Sequence, residues 1–254
     1  MKMSVEEMAA AKGLSRREFI KAVAAGTVAV GAVGVLGACS SSPSGAGSAA
    51  DTSGAGTTAA AGTTAADAAN GATAGGHTGA SYGNLNTAIG GETNAYTKYD
   101  AFAEAADKEG YKQVARLFRA TADAERIHAG DEYDLAFAMD VSSKEATPDT
   151  PKPGTTAENL QAAIDGETYE YTEMYPEFLE AAQSEELDAA AAIFNRAMKA
   201  EECHAKNYQD YLDNLDNLEE ADIYLCPTCG YIKIGDNSGA CPVCMVSCAA
   251  FKKY

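Results

Sequence analysis

Residues 200–208 read AEECHAKNY, and within them Glu201 precedes His204 by three. On a helix, positions three apart share a face, so this carboxylate and imidazole can reach one cation. A solvated Glu beside a helix histidine would look the same. The pair is not alone: Glu125 and His128 repeat the spacing. Near the C-terminus, CPTC and CPVC place Cys226, Cys229, Cys241 and Cys244 in two knuckles separated by eleven residues. Four thiolates at that spacing make a tetrahedral metal site.

The two Glu-x-x-His pairs belong to an internal repeat. NLNTAIGGETNAYT (84–97) matches NLQAAIDGETYEYT (159–172) at nine of fourteen positions, offset by 75. Beyond Thr172 the offset becomes 76, so Tyr99 matches Tyr175, Phe102 matches Phe178, and Glu125-x-x-His128 falls on Glu201-x-x-His204. The repeat therefore supplies Glu92, Glu125 and His128 from one half and Glu167, Glu201 and His204 from the other. Buried carboxylates in such number need cations to be tolerable. Carboxylate with imidazole suits iron or manganese. Glu170, whose counterpart is Ala95, adds a seventh ligand on one side only.

These residues must be positioned by helices. Apolar and aromatic residues recur at helical spacing over roughly 84–109, 112–140, 156–184 and 186–217. Asn84 and Thr155 or Thr156 are plausible N-caps, and Gly110 sits at the first helix–helix junction. The changed offset before Pro176 predicts a kink or a π-bulge between Thr172 and Tyr175. One Glu from each of two helices and a Glu-x-x-His from each of the other two is the pattern of ferritin-like di-iron and di-manganese bundles. The expected fold is an all-α four-helix bundle, up-down-down-up, over residues 81–218, followed by a small four-cysteine domain over 221–254. Its long crossover is VSSKEATPDTPKPG (141–154). Fourteen extended residues reach roughly 46–50 Å, enough to cross such a bundle. Exchange of helix pairs within a dimer is the alternative.

With both Glu-x-x-His pairs, the Gly-Glu-x6-Tyr of the first helix and ETYEYTEMYPEF of the third in place, residues 84–208 resemble the di-iron domain of rubrerythrin. The resemblance implies seven iron ligands: Glu92, Glu125, His128, Glu167, Glu170, Glu201 and His204. It implies that Glu170 and His128 exchange at one iron as the redox state changes. It places Tyr99 and Tyr175 beside the cluster, hydrogen-bonded to its carboxylates, where plain core packing is the bland alternative. The cysteine tail, alone readable as a zinc ribbon, resembles the rubredoxin domain of the same family, with one iron that cycles between oxidation states. Met245 stands where the second knuckle usually has Gly, which implies a strained turn. Cys203 reads as a small buried residue, and Cys248 as either a buried thiol or a spare, exposed one.

The implied activity is that of a non-haem di-iron peroxidase, reducing hydrogen peroxide to water with electrons from an external redox donor through the four-cysteine iron. A ferroxidase or iron-storage protein, or an oxygen-reducing electron-transfer protein, is the alternative. A homodimer or higher homo-oligomer is expected. The formal net charge of −18 makes nucleic acid an improbable partner.

The N-terminus reads as an address. SRREFIK (15–21) resembles a twin-arginine export signal. AVAAGTVAVGAVGVLGA (22–38) is apolar but short for a membrane span. LGAC at 36–39 resembles a lipoprotein cleavage box, with Cys39 lipidated. The alternative is an uncleaved anchor. Residues 1–38 are thus expected to be the signal. Residues 39–80, almost wholly Ser, Gly, Ala and Thr, are expected to be a disordered tether in which His77 has no role. The protein would be extracytoplasmic, touching membrane only through that anchor.

Overall fold

The computed structural model describes residues 79–141 and 147–254. The expected signal, Cys39, His77 and all but the last two residues of the expected tether lie outside them.

Helix α1 spans Ala80–Glu109 and α2 spans Lys112–Ala138. They meet at Gly110, whose φ of +96° lets the chain reverse without a β-carbon penalty. The Tyr111 N–H then closes on the Ala106 carbonyl at 2.9 Å. The next helix comes in three parts: α3 (Thr156–Tyr169), a π-helical turn (Glu170–Met174) and α4 (Tyr175–Ser184). Helix α5 spans Asp188–Asp213. The expected bulge is this π-turn. Pro176 has no N–H to continue the ladder, and the Tyr175 N–H reaches back five residues to the Glu170 carbonyl. The extra residue accounts for the offset of 75 becoming 76.

Thr155 caps α3 through a full capping box with Glu158. Asn84 caps nothing, because α1 begins four residues earlier than its periodicity suggests. The first N–H groups of α1 are instead taken by a distant carboxylate. Glu185, just past α4, accepts from Ala80 at 2.6 Å and Ser81 at 3.2 Å.

The bundle's repeat is visible in its core. Tyr99, Phe102 and Phe118 pack with ring centroids 6.2, 6.0 and 5.5 Å apart. Their counterparts Tyr175, Phe178 and Phe194 pack at 6.2, 6.0 and 5.5 Å. The two triplets belong to separate apolar clusters.

The tail folds as a three-stranded antiparallel sheet in the order β2-β1-β3, from Ile223–Leu225, Ile232–Ile234 and Lys252–Lys253. Ile223, Leu225 and Ile232 share a core cluster with Leu117 and Tyr208 of the bundle. Lys252 Nζ reaches Asp123 Oδ2 on α2 at 2.6 Å, and Cys203 on α5 donates to the Ile232 carbonyl at 3.1 Å. Cys203 is thus half-buried and bonded to the sheet, whereas Cys248 is buried beside the cysteine knuckles.

Candidate metal centre

Six of the seven bundle residues converge. Glu92, Glu125, His128 and Glu201 bring one donor atom each within 4.8 Å of one another, and so do Glu125, Glu167, Glu201 and His204. Glu125 and Glu201 belong to both groups, so they stand between two positions. All six side chains are at most 4% exposed.

The imidazoles are oriented from behind. His128 Nε2 lies 3.0 Å from the Cys229 carbonyl oxygen, and His204 Nε2 lies 2.9 Å from that of Gly230. A carbonyl only accepts, so each Nε2 carries hydrogen and donates. Each Nδ1 then faces carboxylates. His128 Nδ1 is 2.8 Å from Glu201 Oε1 and 3.0 Å from Glu125 Oε2. His204 Nδ1 is 2.7 Å from Glu201 Oε2. The carboxylates are held from behind as well. The Tyr99 hydroxyl donates to Glu167 Oε1 at 2.6 Å, and the Tyr175 hydroxyl contacts Glu92 Oε1. The opposite oxygens, Glu167 Oε2 and Glu92 Oε2, are buried without a hydrogen-bond partner. So are both oxygens of Glu125 and Glu201 and both Nδ1 atoms.

Acceptors facing acceptors in a buried space require a cation between them. With only protons to serve, the groups shift accordingly. Burial, then the neighbouring Glu170, pushes Glu92 well above the carboxylate range. Burial, then Glu125, pushes Glu167 up to about 8. Burial works against charge on His128 and His204, but the surrounding carboxylates win and raise both well above the usual imidazole value. Burial would raise Glu201 too, yet the two imidazoles outweigh it and hold it at about 2. Two divalent ions fit this donor set.

Glu170 joins neither group. It is half-buried, one turn from Glu167, with Oε1 3.9 Å from where a β-carbon on Gly91 would stand. Burial, then Glu167, raises its carboxyl, while Lys98 draws it down. Of the two residues expected to exchange, His128 is the one inside the cluster.

The four cysteines form a second group. Cys226, Cys229 and Cys241 are buried and Cys244 is half-buried. Their Sγ atoms are 3.5 Å (Cys226–Cys244), 3.6 Å (Cys226–Cys229) and 3.5 Å (Cys229–Cys241) apart. A tetrahedron with metal–sulfur bonds of about 2.3 Å has edges of roughly 3.8 Å. The thiols need only spread slightly to hold an ion.

The family model for rubrerythrin matches residues 83–212. The chain belongs to the rubrerythrin family. Nigerythrin from Nitratidesulfovibrio vulgaris is 42% identical over 176 residues, covering 69% of this chain and 87% of that protein. Rubrerythrin-2 from Clostridium acetobutylicum is 34% identical, covering 67% and 94%. A solved structure of fully reduced, all-ferrous nigerythrin superposes with a TM-score of 0.67 at 41% identity, over 68% of this chain and 86% of that one. A bacterioferritin from Mycobacterium tuberculosis, TM-score 0.51 at 20% identity, shares the fold alone. The cofactors of this family of di-iron oxidative-stress proteins are a di-iron centre, matched here by the Glu/His cluster, and an iron in a rubredoxin-type four-cysteine site.

Three features were not anticipated from the sequence. The carbonyls of Cys229 and Gly230 left no side-chain signal. Glu185 caps from a hundred residues away. Glu132 is a fully buried carboxyl one turn beyond His128. Carrying the offset of 76 four residues further would have flagged it, since its counterpart is Tyr208.

Proposed function

We propose that the chain is a non-haem di-iron peroxidase that reduces hydrogen peroxide to water, with electrons entering through the four-cysteine iron. The observation that carries this reading is the contact between the two sites. Cys229 is a thiol of the tail cluster, and its own carbonyl accepts from His128 of the bundle at 3.0 Å. A continuous path runs from the Cys229 sulfur through its backbone and one hydrogen bond to the imidazole. An iron store that takes electrons from its own substrate has no use for such an entry.

Glu92 with His128, and Glu167 with His204, would each hold one ion, with Glu125 and Glu201 shared. Two ferrous ions held there would supply the two electrons that cleavage of the peroxide O–O bond consumes. The protein orients and shields. Tyr99 and Tyr175 each take one oxygen of a glutamate and leave the other facing inward. The Cys229 and Gly230 carbonyls fix both histidines with Nδ1 free. Glu170, close by and outside the cluster, is placed to enter it when the charge there rises. The apolar triplets at Tyr99 and Tyr175 keep bulk water away. The N-terminal sequence supports export and lipid anchoring at Cys39, and family resemblance supports a homo-oligomer.

The test is stopped-flow absorbance on the iron-loaded, fully reduced protein, mixed with hydrogen peroxide and separately with oxygen. Peroxide reoxidising both sites much faster than oxygen supports the proposal. Equal rates, with turnover of added ferrous iron, replace it with a ferroxidase.

A further inference from the structure

The two halves differ behind their tyrosines. Behind Tyr99 the fourth member of the aromatic group is Tyr208, with centroids 5.6 Å apart. At the equivalent place of the repeat, beside Tyr175, stands Glu132, whose side chain is fully buried. Its Oε1 lies 2.9 Å from the Tyr175 hydroxyl, and Oε2 is buried without a hydrogen-bond partner. That hydroxyl also contacts Glu92 Oε1. One oxygen thus sits between two carboxyl groups.

Hydrogen counting fixes the state of this trio. A tyrosine hydroxyl has one hydrogen and can donate to only one carboxyl. The other contact must then be a donation toward the tyrosine oxygen, or two bare acceptors would meet in a dry interior. Glu92 offers its other oxygen to the cation site, so Glu92 is ionised when an ion is bound. The extra hydrogen therefore belongs to Glu132.

We propose that Glu132 stores a proton and passes it through the Tyr175 hydroxyl toward Glu92. The Glu132 O–H bond breaks as Tyr175 gains that hydrogen. The original Tyr175 hydrogen moves to Glu92 Oε1 and onward to an oxygen leaving the site. Reduction of one peroxide to two waters takes two electrons and two protons. This relay supplies one proton, solvent supplies the other, and solvent restores Glu132 between turnovers. Glu132 acts through Tyr175 and touches no substrate. The destination of the proton rests on the peroxide-reducing reading; its presence on Glu132 does not.

The surroundings agree. Glu132 is faced by His128 and Asp131 of its own helix, Glu201 of α5, Tyr175 of α4 and, through Tyr175, Glu92 of α1. Asp131 is occupied by Arg196 at 3.3 Å. Burial lifts the Glu132 carboxyl to about 8, although the Tyr175 hydrogen bond and His128 pull it down.

The deciding experiment is infrared spectroscopy of the zinc-loaded protein at neutral pH, which involves no turnover. A protonated-carboxyl C=O band is expected in the wild type and absent in Glu132→Gln, whose amide still donates to Tyr175. If Glu132→Gln does not fold, Tyr175→Phe leaves the carboxyl in place and must shift the band. A spectrum unchanged by either substitution overturns the proposal, whatever the enzyme does. On the iron-loaded protein, the peroxide single-turnover rate of Glu132→Gln should fall at least tenfold and lose its alkaline limb, with metal content unchanged. Wild-type rate and pH profile in Glu132→Gln would refute delivery. A peroxide-inert wild type with the infrared band present would instead sink only the peroxidase reading.

Discussion

A β-carbon on Gly230 would stand 2.9 Å from Cε1 of His128 and 3.1 Å from its Cδ2. Gly230 also has φ +74°, in the region that favours glycine. The first cysteine knuckle therefore meets a bundle imidazole at its Nε2 end, and only hydrogen fits between them. Gly230→Ala should lift the knuckle off His128 and His204 while leaving the four thiols able to bind metal. Electron transfer from the four-cysteine iron to the bundle should slow at least tenfold, with metal content and the direct reaction of the reduced bundle with peroxide little changed. Double-mixing stopped-flow measures the two steps apart. An unchanged transfer rate would remove the contact from the electron path.

The second knuckle makes the opposite case. Met245 has φ +64°, and its N–H closes on Cys241 at 3.0 Å, as that of Gly230 does on Cys226 at 3.2 Å. Met245 is 73% exposed, so nothing excludes its side chain and only backbone strain is felt. Met245→Gly should stabilise the metal-loaded protein by about 1 kcal/mol. Thermal unfolding monitored at the thiolate absorbance checks this.

Metal loading should release protons. Glu92 and Glu167 are raised by burial, and His128 and His204 by the carboxylates around them, so at neutral pH the site holds protons that a cation must displace. Affinity for a divalent ion should therefore fall as pH falls. Calorimetric titration with zinc in two buffers of different ionisation enthalpy, on protein whose four-cysteine site is already filled, gives the proton count of the bundle site. Heats independent of the buffer would contradict the assigned protonation.

Glu185 holds the start of α1 from the far end of α4. Glu185→Ala leaves two N–H groups without their acceptor and should cost about 1 kcal/mol. Its distance from the cluster predicts unchanged metal content and an unchanged di-iron spectrum. Chemical denaturation and metal analysis on the same sample test both halves of this expectation.

The bundle was legible because repeated spacing constrains it twice. Glu125 and His128 predict a face of one helix, and Glu201 and His204 predict the same face of another. Pro176 and the slipped offset marked the π-turn because a prolyl ring cannot join the hydrogen-bond ladder. Glu132 stayed hidden because a lone glutamate on an acidic chain reads as solvated. Only packing against Tyr175 makes it a buried acid. The Cys229 and Gly230 carbonyls stayed hidden because every residue has one, and tertiary docking alone selects which two are used. Asn84 was misplaced as a cap because Glu185, remote in the chain, lets the helix start earlier.

The matched ring triplets at 6.2, 6.0 and 5.5 Å make this chain its own control experiment. A substitution at Tyr99 and the same substitution at Tyr175 remove the same atoms from matching ring triplets. Differences between the two then report where the halves are unequal, as at Glu132, whose counterpart is Tyr208, and at Glu170, whose counterpart is Ala95. The repeat and its departures can thus be read within one polypeptide, under one set of conditions.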